Sequence, residues 1–204
     1  MLSYLIFGVT YAFAAAVQPG PLQTYLISQT LKRGWRSTLP AAFAPVISDG
    51  PILLLVLFLL STVPENFVFI LRILGGLFLL YLALNAYKSW KEFDPDKSIS
   101  NDSNQKTLFS AVVVNLLNPA PYLGWSLIMG PIFLEGWEIA PINGISLIIG
   151  FYLTLIITLV GIIILFAFAS KLGPKVSKIL IGISSLALLA FGVYQLWVGI
   201  AYYI

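Results

Sequence analysis

The sequence predicts an all-α integral membrane protein: six transmembrane helices, built as two inverted three-helix repeats with helices 1 and 4 broken. Three observations carry that prediction. The 204-residue chain is 59% hydrophobic and only 9% charged, with a mean hydropathy of +0.96, which leaves a water-soluble domain short of polar surface. Its apolar runs are long enough to cross a bilayer, at about 20 residues per crossing. And one four-residue pattern, an amide side chain followed by proline, a small residue and proline, occurs once in each half: Gln18-Pro19-Gly20-Pro21 and Asn118-Pro119-Ala120-Pro121.

The runs fall at about 3–31, 39–61, 66–88, 107–132, 140–169 and 176–203, each read as one span. Ala12-Phe13-Ala14 resembles a signal-peptide cleavage site, but the basic leader is absent, so the first run is expected to stay as helix 1. The chain reads as a single membrane domain, 1–204, with repeat one at 1–90, a cytoplasmic linker at 91–106 and repeat two at 107–204. Charge gathers in the linkers, and within 89–106 it combines with Ser and Asn in a stretch polar enough to be flexible. Glu135 and Glu138 are read as the linker between spans four and five.

Orientation follows from lysine and arginine, which collect on the cytoplasmic side. Grouping alternate loops places ten of the eleven basic residues on one face and Arg72 alone on the other. Both termini are therefore expected to face away from the cytoplasm. The net charge of +3 and pI near 9.1 then reflect topology, and nucleic acid is not an expected partner.

The halves also match internally. Pro19 and Pro21 align with Pro119 and Pro121 at an offset of 100, Gly34-Trp35 with Gly136-Trp137 at 102, and Arg72-Ile73-Leu74 with Lys178-Ile179-Leu180 at 106. Three helices per repeat force the second repeat to enter from the opposite face, an inverted arrangement.

A proline inside a helix costs ~3 kcal/mol or more, and non-helical backbone at membrane depth survives only where protein or a wet cavity surrounds it. Paired breaks in the two halves point to a transporter's binding site. At each break the following half-helix offers free N–H groups and a positive dipole end, while the preceding one offers carbonyls. A zwitterion is matched by such ends, with its carboxylate near Gly20 or Ala120 and its ammonium near the carbonyls and the Gln18 or Asn118 amides. Simple packing kinks are the plainer reading of the same prolines. The candidate substrate-binding residues are Gln18, Pro19, Gly20, Pro21, Asn118, Pro119, Ala120 and Pro121.

Asp49 is placed about 16 Å along helix 2, near mid-depth, and no other acid lies so deep. An ionised group there costs about 2.5 to 3.5 kcal/mol or more, so such residues pair, protonate or serve transport. It is the candidate for proton coupling or for the solute's ammonium. The alternative is a local cap, since Ser48-Asp49-Gly50-Pro51 reads as a helix restart. Arg72 is expected chiefly to snorkel to the headgroups, with a gate or counter-ion to Asp49 as the sharper alternative. Asn85 and Asn115 read as interhelical hydrogen-bond partners. Gly75, Gly76, Gly182 and Gly192 read as close-contact positions, and four tryptophans as interfacial anchors.

Together these motifs resemble the LysE/RhtB family of bacterial amino-acid exporters over nearly the whole chain. The resemblance rests on Pro19-Gly20-Pro21 in helix 1, Asn118-Pro119 in helix 4, Gly34 and Asp49 around helix 2, and the glycine and Tyr-Leu run at 74–82. Thr38, Pro45 and Ser48 stand where that family has glycines, and Pro-Ala-Pro replaces its common Pro-Lys-Ala. The resemblance implies proton-driven export of amino acids or similar small amphoteric solutes from the cytoplasm.

With no Cys and no His, thiol relays and soft-metal ligands are excluded, so neither an enzyme nor a cofactor or metal site is expected. An exporter of cations or lipid-like molecules on the same scaffold is the competing function. The expected partners are a small solute, protons and the lipid bilayer, with a homodimer left open.

Overall fold

The computed structural model describes residues 1–59, 65–93 and 104–201, and every ordered element among them is helical. Residues 60–64 and 94–103, including Pro64 and most of the expected flexible linker, lie outside the described residues. Four helices or helical stretches are long and apolar enough to cross a membrane, and up to six if each of two bent pairs is one span.

The first bent pair joins α1 (Leu2–Val17) to α2 (Pro21–Arg33) at 61°. Gly34 follows with φ 82°, a conformation that costs glycine nothing and other residues strain, and it turns the chain into α3 (Trp35–Thr38). A 3₁₀ stretch (Leu39–Phe43) with Pro40 in its first turn leads into α4 (Ala44–Leu59). Next comes α5 (Glu65–Lys91). The second bent pair joins α6 (Asn104–Leu116) to α7 (Pro119–Gly124), which continues through a π-helical turn (Trp125–Met129) into α8 (Gly130–Ile139), with a bend of 55°. The chain closes with α9 (Pro141–Ser170) and α10 (Pro174–Ala201).

Two expectations change. Glu135 and Glu138 lie inside α8 rather than in a linker; the helix ends only where Pro141 forces Ala140 into extended backbone, φ −167° and ψ 132°. The pairing of Gly34-Trp35 with Gly136-Trp137 is not a structural equivalence, because Gly34 is a positive-φ junction and Gly136 sits within a helix.

Small residues let these helices meet at backbone distance. Ser146 Oγ donates to the Met1 carbonyl, a methyl on Gly150 would strike the Leu5 carbonyl and one on Gly8 the Phe151 amide, an ascending order that makes α1 and α9 run side by side in the same direction. Gly76 packs against Leu196 and Gly192, Ala83 accepts a hydrogen bond from Ser185, and Gly182 lies under Trp90. That order makes α5 and α10 antiparallel. α2 reaches both pairs, α4 lies along α6, and the bends of the two broken pairs end up facing one interior space. Side chains such as Leu84, Leu165 and Leu186 point outward, more than 60% exposed, as a surface bathed in lipid requires.

Candidate functional site

Each break leaves helix-end carbonyls without their usual partners, and each is answered from the helix that follows. At the first break Gln23 Nε2 donates to the Ala15 and Ala16 carbonyls at 3.2 and 3.1 Å. At the second, the Tyr122 hydroxyl donates to the Leu116 carbonyl at 2.9 Å. The breaks differ at their N–H ends. Asn118 Oδ1 accepts from the Ala120 amide at 3.1 Å and caps α7, whereas α2 begins after Gly20 with no side-chain cap.

Between the breaks lies a cavity of ≈ 450 Å³, within the size range of small-molecule sites. All eight residues of the two proline motifs line it, and so do Asp49 and Arg72. The sequence-expected set is thus gathered around one space.

Asp49 is only 3% exposed and comes from the middle of α4. The helix runs unbroken through Pro51, so Asp49 does not cap a restart, contrary to that alternative. Its carboxylate instead accepts from three other helices: Asn115 Nδ2 at 3.0 Å, Trp125 Nε1 at 3.3 Å and the Tyr152 hydroxyl at 3.4 Å. Asn115 also donates to Ser48 Oγ at 2.7 Å, and that hydroxyl passes its own hydrogen to the Ala44 carbonyl. These donors are all neutral. They fix the carboxylate in place without bringing a positive charge to it.

Arg72 borders the cavity, and its Nη1 donates to Gln195 Oε1 of α10 at 3.4 Å. Gly199 makes this approach possible, since a methyl there would press on the Arg72 Cβ.

Sequence reasoning missed Trp125, Tyr152, Gln23 and Gln195 as site residues; it had Asn115 as an interhelical hydrogen-bond partner, and the bonds Asn115 makes are to Ser48 and Asp49. Gln23 and Trp125 stand two and four residues beyond the last proline of their motifs, a position that could have flagged them. Tyr152, an aromatic in an apolar run, carries no such signal.

Residues 13–199 match the LysE type translocator family. The chain belongs to that family. It is also similar to a Bacillus subtilis (strain 168) protein named "Putative amino acid efflux protein YcgF", with 30% identity covering 98% of this chain and 96% of the relative. No solved structure matches the chain. This is a multi-pass membrane transporter and not an enzyme.

Proposed function

We propose that this LysE-family protein exports amino acids or related small amphoteric solutes from the cytoplasm by proton-coupled secondary transport. The observation that carries the reading is the convergence of both proline breaks and the buried Asp49 on one cavity of solute size. The relative's name, which speaks of amino acid efflux, supports the same solute class.

The chemistry of exchange follows from having one carboxylate. Asp49 binds either the solute's ammonium or a proton, because its fixed neutral donors leave room for one positive partner at a time. Loaded from the cytoplasm with solute, the site releases it outside when a proton takes its place, and the protonated site returns. The open N-terminal end of α2 at Gly20 adds positive potential to the same cavity.

Six crossings with both termini outside the bacterial inner membrane suit this cycle. Parallel α1 and α9 and antiparallel α5 and α10 are the directions that six alternating spans require. Rocking of two inverted three-helix halves about the α5–α10 contact would then expose the cavity to either side.

The test is flux of labelled amino acids into proteoliposomes with an imposed pH gradient. Wild type should show gradient-driven flux, and Asp49→Asn, which keeps the side chain's shape, should fall to the level of protein-free vesicles. Equal gradient-driven flux in the two proteins would remove Asp49 from coupling.

A further inference from the structure

The cavity is lined by one carboxylate and one guanidinium from different helices together with several rings, and this specifies a solute more narrowly than the export reading on which the inference rests. Asp49, Trp125 and Phe151 come to it from α4, the π-helical turn and α9. Arg72, Phe191, Tyr194 and Gln195 come to it from α5 and α10. Three of the lining rings are packed against one another rather than loose: Trp125 meets Phe151 edge to face at 5.6 Å, and Tyr11 stacks on Phe151 at 6.1 Å. Such packing makes a preformed apolar surface, since rings already in contact have little freedom left to lose.

We infer that the solute is a zwitterionic α-amino acid with a large apolar or aromatic side chain, its carboxylate held by Arg72, its ammonium by Asp49 and its side chain laid against the rings.

Each alternative class meets a specific penalty. A lysine-like solute brings a second cation into a space that already holds Arg72. A glutamate-like solute brings a second carboxylate toward Asp49. Serine-sized solutes satisfy both charges and leave the ring surface facing water, forfeiting the apolar burial that a leucine or phenylalanine side chain supplies. Arg72 matters most for the acid end, because a guanidinium matches a carboxylate with two parallel donors. Its bond to Gln195 keeps it aimed inward before the solute arrives.

Thermal stabilisation of the purified protein in detergent reads binding without requiring transport. The probes are phenylalanine, leucine, serine, lysine, phenylalaninamide and 3-phenylpropionate. Phenylalanine and leucine should bind about tenfold or more tighter than serine or lysine. Phenylalaninamide, which lacks the carboxylate, and phenylpropionate, which lacks the ammonium, should be weaker by a similar factor. In Arg72→Gln the gap between phenylalanine and its amide should close, and Arg72→Lys should partly reopen it. Tighter binding of serine or lysine, or a carboxylate preference that survives in Arg72→Gln, overturns the assignment and leaves export standing. Binding of phenylalanine as described with no flux of any amino acid in vesicles would instead sink the export reading.

Discussion

The two breaks share a four-residue pattern and use it two residues out of register. In the first, Gln18, Pro19 and Gly20 all lie outside helix, Gly20 is the capping position, and Pro21 opens α2. In the second, Asn118 is already the capping position and Pro119 opens α7, so Pro121 sits inside the first turn. The cause is the amide. Asparagine's short side chain reaches the amide two residues on, whereas glutamine is one methylene too long to be a favoured cap. The first break is consequently wider and leaves the α2 amides uncapped toward the cavity. The second is self-sealed, and it is clamped from outside by α5, where Gly75 lies against the Leu117 carbonyl. One break is built to receive a ligand, the other to hold its shape.

The largest effect should come from pressing on the clamp. Gly75→Ala places a methyl 2.5 Å from the Leu117 carbonyl oxygen, a backbone atom that cannot swing aside, and should cost about 1–3 kcal/mol or more. Gly20→Ala meets only the end of the Gln23 side chain at 3.0 Å, so thermal unfolding in detergent should separate the two variants clearly, with Gly20→Ala near wild type. Equal losses would mean that the first break is just as tightly held.

A middle-sized difference is expected at the carbonyls. Tyr122→Phe strips the Leu116 carbonyl of its donor away from the cavity lining, at about 1–3 kcal/mol. Gln23→Ala frees two carbonyls, but Ala15 and Gln23 border the cavity, where water can take over. The same unfolding measurement should therefore rank Tyr122→Phe as the more damaging. The smallest contrast is at the amides themselves. Asn118→Ala should lose about 1 kcal/mol with its cap, while Gln18→Ala should stay within about 0.5 kcal/mol and reveal itself only in transport.

What could be read from the sequence is what a membrane makes expensive. Prolines at 19, 21, 119 and 121 and an acid at 49 stand out of apolar runs because each demands compensation there, and all of them reach the cavity. The compensating groups were far less visible. Trp125 and Tyr152 look like any aromatic in a hydrophobic helix until their donors are seen to converge on Asp49. Arg72 was expected chiefly at the headgroups because sequence gives its depth but not its neighbours; its bond to Gln195, 123 positions away, and its place beside the cavity carried no sequence signal. The register difference between the breaks was hidden by the match of their four residue types. The length of the fourth span was hidden too, since Pro131 falls in the first turn of α8 and does not stop the helix.

Because the chain has no cysteine of its own, one labelling experiment reaches the central claim directly. Single cysteines at Gly20, Ala120 and the outward-facing Leu186 are treated in membrane vesicles with a membrane-impermeant thiol reagent, with and without a saturating mixture of the standard amino acids other than cysteine. If both breaks border one solute-filled space, the cysteines at 20 and 120 react, the amino acids slow both reactions, and the cysteine at 186 stays unlabelled. Reaction at only one break, or at both with no protection by the mixture, would contradict it.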